Sequence, residues 1–333
     1  MQRDEFAPDF GYMRLFPPEP QPSFQEPDEL ERVWGARWGA ADDVGPLRVV
    51  LMRRPGRAFE QMTADTLRPD LGMLVDSKDG LWYWHSETPP DIDLLNRQHA
   101  ALVSVLEGEG VRVVLANELP PRFSNAMFVR DPLVTVRGGA IIGRPAPRMR
   151  RGEEVSITQT VAALGMPIIG TIVGTGLLEG GSFVKVRPDV AAFGLSLRCN
   201  QEGAHQLQEM LARLGVELIP VPLPGFLIHI DGALAMVDVD RALVHAAGLP
   251  YWFLERLQEM GIELLWPHPD EFWAINALAV RPGRIIMGEG SPRTVEMLER
   301  RGVEVVVVDY REVQKLDGGI HCSTMELVRD DSE

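Results

Sequence analysis

Two cysteines in 333 residues are too few for a disulfide framework. The neighbours His321 and Cys322 have no second Cys/His pair to complete a tetrahedral zinc set. Basic charge is also short: 33 Lys and Arg stand against 48 Asp and Glu, a formal net charge of −15. That deficit excludes a nucleic-acid surface, which needs a basic surplus to neutralise phosphates. No apolar run approaches the length of a membrane span. The first residues, MQRDEFAPDFGYMRLFPPEPQPSF, lack the basic-then-apolar order of a secretory leader. The expectation is a cytoplasmic protein without nucleic-acid or membrane partners, compatible with a homo-oligomer.

What the chain does have is a recurring passage. Five times a helix-like stretch runs into a glycine and then into a β-branched run. The glycines are Gly110, Gly165, Gly215, Gly261 and Gly302, spaced 55, 50, 46 and 41 residues apart. Each fits a helix C-cap in the left-handed conformation, followed by a strand. The near-regular spacing predicts one β/α unit repeated about five times, with equivalent loops meeting on one axis. Residues 1–45 read as an irregular arm with one short helix in DELERVWGARWG, and residues 46–333 as one closed catalytic domain. Asp91 or Asp93 is a plausible cap for a helix over 91–109. The long segment from Pro55 to Pro90 carries Trp82, Tyr83, Trp84 and His85, and reads either as a lid or as a packed aromatic corner.

Cys322 lies in LDGGIHCST, after an apolar strand and beside Gly318 and Gly319, which let backbone approach a ligand closely. A free cysteine is commonly a small buried hydrophobe. The glycine-rich loop favours a nucleophile instead, and a thiolate serves near neutral pH. Cys199, in GLSLRCN, takes the buried reading. His229 and Asp231, in HIDGAL, are expected on one face of a strand by alternation, an imidazole beside a carboxylate suited to acid/base work. Asp131 in NAMFVRDP and Glu179 in LLEGGSFV stand at other strand edges. If these three carboxylates share a pocket, it suits a planar guanidinium held by paired hydrogen bonds. Arg150 and Arg198 are candidates to grip a carboxylate at the other end of an amino-acid substrate.

The motifs NAMFVRDP, RRGE, LEGGS, GLSLRCN, HIDGAL and GGIHCS, in that order, resemble those of the guanidino-modifying superfamily. That superfamily includes arginine deiminase, the dimethylarginine dimethylaminohydrolases and the amidinotransferases. The resemblance covers about residues 45 to 330. It implies a five-bladed, pseudo-fivefold α/β propeller (the pentein fold) of ββαβ repeats. It implies Cys322 as nucleophile and His229 as general acid/base. Asp131 and Asp231 would bracket the guanidinium, and Glu179 would hold the histidine. Arg150 and Arg198 would receive an α-carboxylate, with Asn125 and Phe128 lining the pocket beside Gly318 and Gly319. It implies hydrolysis of the guanidino group of arginine or a close N-substituted relative, with no metal and no organic cofactor. The alternatives are a dimethylarginine hydrolase, an amidinotransferase and a non-enzymatic guanidine-binding protein.

Overall fold

The computed structural model describes residues 19–332. Residues 1–18 of the expected arm lie outside them. All five repeat glycines adopt the left-handed conformation, with φ of 82, 86, 74, 84 and 78° in chain order. Each ends a helix-to-strand passage as the sequence predicts. The strands that follow are Arg112–Leu115, Ile168–Thr171, Glu217–Pro222, Glu263–Leu265 and Glu304–Val308.

Each of these strands is the last of a three-stranded sheet built to one plan. In the first sheet Leu47–Met52 lies between Met325–Arg329, antiparallel, and Arg112–Leu115, parallel. In the second, Gly139–Ile142 lies between Leu133–Val136 and Ile168–Thr171 in the same senses. The third places Val190–Leu195 between Phe183–Arg187 and Glu217–Pro222. The fourth and fifth repeat this, with Arg241–Val244 and then Arg284–Gly288 as middle strands. A parallel step needs a crossover, and a helix supplies it each time. These helices are Ile92–Gly108, Glu153–Ala163, Gln201–Ala212, Tyr251–Glu259 and Pro292–Arg300. Asp91 caps the first, its carboxylate accepting the Leu94 N–H at 2.8 Å, and Asn200 caps the third from the Gly203 N–H at 2.9 Å.

Each helix packs an apolar stripe onto its sheet, as with Leu95, Leu102 and Leu106 of the first. Burying one such side chain contributes about 1.5–3 kcal/mol. The antiparallel edge strands face one another: Phe183–Arg187 contacts Leu234–Asp238, which contacts Leu278–Arg281, while Met325–Arg329 contacts Leu133–Val136. Between them lies a buried ion network. Glu326 meets Arg130 at 2.8 Å and Lys185 at 2.6 Å, and Lys185 also meets Asp43 at 2.9 Å. Among the described residues no helix is long and apolar enough to cross a membrane.

The aromatic segment resolves by alternation along the short strand Tyr83–Trp84, part of a small antiparallel sheet. Trp82 and Trp84 are buried, Trp84 edge-on to Phe59. His85 is exposed and its Nδ1 lies 3.0 Å from Asp317 Oδ1. The segment is therefore a packed corner on one side, and on the other it reaches the loop that carries Cys322.

Candidate active site

Each antiparallel edge strand is entered through a tight turn. Four of these turns are 3-10 helical: Ser124–Met127, Gly180–Ser182, Ile230–Gly232 and Phe272–Ile275. The fifth, ahead of Met325–Arg329, is closed by Ser323 N–H to Gly319 O at 3.1 Å and Thr324 N–H to His321 O at 3.1 Å. The chemistry-bearing residues sit on or beside these turns. The second sheet presents Asn125, Phe128 and Asp131, the third Glu179, the fourth His229 and Asp231, and the first Cys322. One expectation needs correction. His229 and Asp231 do not share a strand face, because His229 precedes a 3-10 turn that contains Asp231, and the strand begins only at Leu234. The turn, rather than period-two alternation, brings both to the site.

His229 is buried, with Nε2 2.8 Å from Glu179 Oε2 and Nδ1 3.6 Å from Asp131 Oδ1. Burial alone would lower the imidazole's pKa. The carboxylates of Asp131, Glu179 and Asp231 outweigh it and hold the ring above its ordinary value. Burial would raise the Glu179 carboxyl, but His229, Arg198 and Arg150 overcome it and bring it down to about 2. Gly181 has no room for a side chain: a Cβ there would stand 2.7 Å from His229 Nδ1 and 2.8 Å from Asp131 Oδ1. Its N–H instead donates to Asp131 Oδ1 at 3.1 Å.

Cys322 is buried at the floor of a cavity of about 250 Å³, which His229, Asp231, Asn276 and Asp317 also line. Phe226, Phe272 and Trp273 form its apolar rim. The thiol lies 3.9 Å from Asp231 Oδ2, and Asp231 accepts or shares a proton with His321 Nδ1 at 2.8 Å. Burial, then the charges of Asp231 and Asp131, push the Cys322 thiol up and favour its protonated form. Cys199 is buried among apolar side chains and pushed up to about 12, mainly by burial. The glycines before Cys322 make room for protein neighbours. A Cβ on Gly318 would collide with the Phe128 ring, and one on Gly319 would stand 2.5 Å from Asn276 Oδ1.

Arg150 departs from its expected role. It is buried, and its Nη2 donates to Glu153 Oε2 at 2.7 Å and to Phe128 O at 3.0 Å. Its Nη1 pairs with Asp131 Oδ2. A guanidinium held by two carboxylates of its own chain does not present itself to a ligand carboxylate. Arg198 is half-buried, with Nη1 2.7 Å from Glu179 Oε2. Asn276 is the residue the sequence reading missed. It stands two residues before Leu278, as Asp131 stands two before Leu133, so the register of the repeat could have found it. Asp131, Glu179 and His229 also lie close enough to share a cation. Asp131 and Glu179 already pair with Arg150 and Arg198.

Comparison with known proteins agrees on one lineage. The family model described as arginine deiminase matches residues 116–250 and 268–329. The N(G),N(G)-dimethylarginine dimethylaminohydrolase of Pseudomonas aeruginosa is 33% identical over 251 residues, spanning 75% of this chain and 94% of that protein. The structure of a cysteine-to-serine mutant of the dimethylaminohydrolase from that organism, complexed with citrulline, superposes with a TM-score of 0.68. It is 28% identical and covers 84% of this chain and 99% of its own. An amidinotransferase from Microseira wollei reaches a TM-score of 0.69 at 15% identity over 89% of this chain and 98% of its own, a likeness of fold alone.

Proposed function

The chain belongs to the arginine deiminase family, hydrolases of carbon–nitrogen bonds in linear amidines within the guanidino-modifying (pentein) superfamily, and from that premise we propose that Cys322 cleaves the guanidino group of arginine or an N-substituted arginine. One observation carries this reading. A thiol, an imidazole held above its ordinary pKa and a set of carboxylates converge on one cavity from separate sheets. We infer further that the five sheets are blades of a single α/β propeller domain over residues 46–333, with the cavity at one end of its pseudo-fivefold axis. The reading places the enzyme in the cytoplasm, where the thiol stays reduced.

The steps follow from the charges. The buried carboxylates around Cys322 favour its protonated thiol. A bound guanidinium, set against Asp231 and the Asp131–Glu179 side, supplies the positive charge that favours the thiolate, and the thiol proton passes to bulk water. The thiolate adds to the planar guanidino carbon. His229, carrying a proton, gives it to the departing ammonia or amine, and a thiouronium remains on sulfur. The now neutral His229 takes a proton from water, the resulting hydroxide adds to the same carbon, and the thiolate leaves. The products are a ureido compound and ammonia or an amine. With Arg150 turned onto Asp131 and Glu153, Arg198 is left as the arginine for an α-carboxylate, and it must then release Glu179. We assign Arg150 instead to orienting Asp131.

The test is a panel of arginine, dimethylarginine, agmatine and simple alkylguanidines, scored for ureido product and for ammonia or dimethylamine, with and without an amine acceptor. The proposal expects ureido product from at least one arginine. Amidino transfer that needs the acceptor would make the chain a transferase, and no ureido product from any guanidine would refute the reading.

A further inference from the structure

We propose that Asn276 is a further catalytic residue, whose side-chain amide holds the Cys322 sulfur and donates a hydrogen bond to the thiolate. The inference rests on the thiol-nucleophile reading above and extends it to a residue outside that set. Asn276 is buried, follows the turn Phe272–Ile275 and lines the cavity. Its Nδ2 lies 3.2 Å from Cys322 Sγ, and its Oδ1 accepts the His321 N–H at 2.9 Å.

The second contact fixes the sense of the first. A backbone N–H can only donate, so the amide atom facing His321 is the oxygen, and the atom facing sulfur is the NH₂ group. One side chain thus clamps the sulfur and the backbone just before it. The close approach also accounts for Gly319, since a side chain there would collide with this amide. The other side-chain contact of the sulfur is Asp231 Oδ2, an acceptor and an anion. An amide hydrogen bond strengthens when its acceptor becomes charged, so Asn276 favours the thiolate over the thiol. It counters, at the reacting atom, the carboxylates that the site needs for a cationic substrate.

A purely structural role, tying the turn of the fifth sheet to that of the first, would leave the thiol's ionisation alone. The experiment is the pH dependence of Cys322 alkylation by iodoacetamide in the intact chain, followed by peptide mass analysis so that Cys199 is counted separately. Asn276→Asp keeps the acceptor toward His321 and puts a carboxylate oxygen in place of the donor. Asn276→Ala removes both, and thermal melts confirm that each variant is folded. The expected result at pH 8 is alkylation slowed by more than about threefold in every folded variant, and more in Asn276→Asp than in Asn276→Ala. Alkylation within about threefold of wild type in a folded variant overturns the proposal. If Asn276→Asp does not fold, Asn276→Ala carries the test alone with the same threshold. The assay needs no substrate, so it stands whether or not the guanidine panel yields product. In turnover, kcat should fall while KM stays within about threefold, the mark of an interaction made mainly in the transition state.

Discussion

His229 and Glu179, on the entry turns of two different sheets, share a buried hydrogen bond of 2.8 Å between Nε2 and Oε2. The bond orients the ring that faces the cavity and favours its protonated form. It also couples two titrations of opposite sense. His229 is raised, so its contribution to stability is full below its unfolded value and is lost as pH rises through its folded value. Glu179 is lowered to about 2, so its contribution is full above its unfolded value and fades as pH falls.

Glu179→Gln removes Glu179's own contribution and its share of the rise at His229, while Asp131 and Asp231 still act on the ring. The stability gap between wild type and variant, measured by urea unfolding, should be widest near about pH 5–6 and shrink on either side. The alkaline limb of the activity profile should also move to lower pH, because His229 loses a carboxylate. A gap that is flat from acid to alkali would contradict the coupling.

Gly181→Ala probes how tightly the His229–Asp131 geometry is packed. Gly181 has no positive φ, so the variant meets contact rather than backbone strain. Something must move where a new Cβ stands 2.7 Å from the imidazole. A displacement of about 1 Å should lower kcat/KM by about 10²-fold. Steady-state kinetics within about threefold of wild type would show that the site yields more easily than its distances imply.

Arg150→Met leaves Asp131 and Glu153 without their buried partner. Removing one side of such a pair costs about 3–5 kcal/mol, visible as a lower urea midpoint. An arginine reserved for a ligand would instead leave stability unchanged and raise KM, so the two measurements separate the roles.

The repeat was legible because helix-capping glycines act locally: glycine adopts the left-handed conformation at Gly110, Gly165, Gly215, Gly261 and Gly302 without the steric cost of a Cβ. Cys322, His229 and the acidic residues could be picked out for the same reason, as reactive groups beside glycine turns. Placement was harder to read. HIDGAL alternates like a strand, yet the backbone spends Ile230–Gly232 on a 3-10 turn. Arg150 looked free because its partners are decided by folding: Glu153 three residues on and Asp131 from the strand entry. Asn276 carries no charge and no reactive atom, so only its position in the repeat and its distance to sulfur single it out.

The central claim is a covalent bond between Cys322 and the guanidino carbon. The most direct measurement is mass analysis of the acid-quenched protein during turnover of the best guanidine, with peptide mapping of the modified site. The account predicts a thiouronium adduct on the Cys322 peptide, its absence in Cys322→Ser, and loss of ureido product in that variant. Ureido product formed by Cys322→Ser at the wild-type rate, with no adduct on the wild-type peptide, would contradict it.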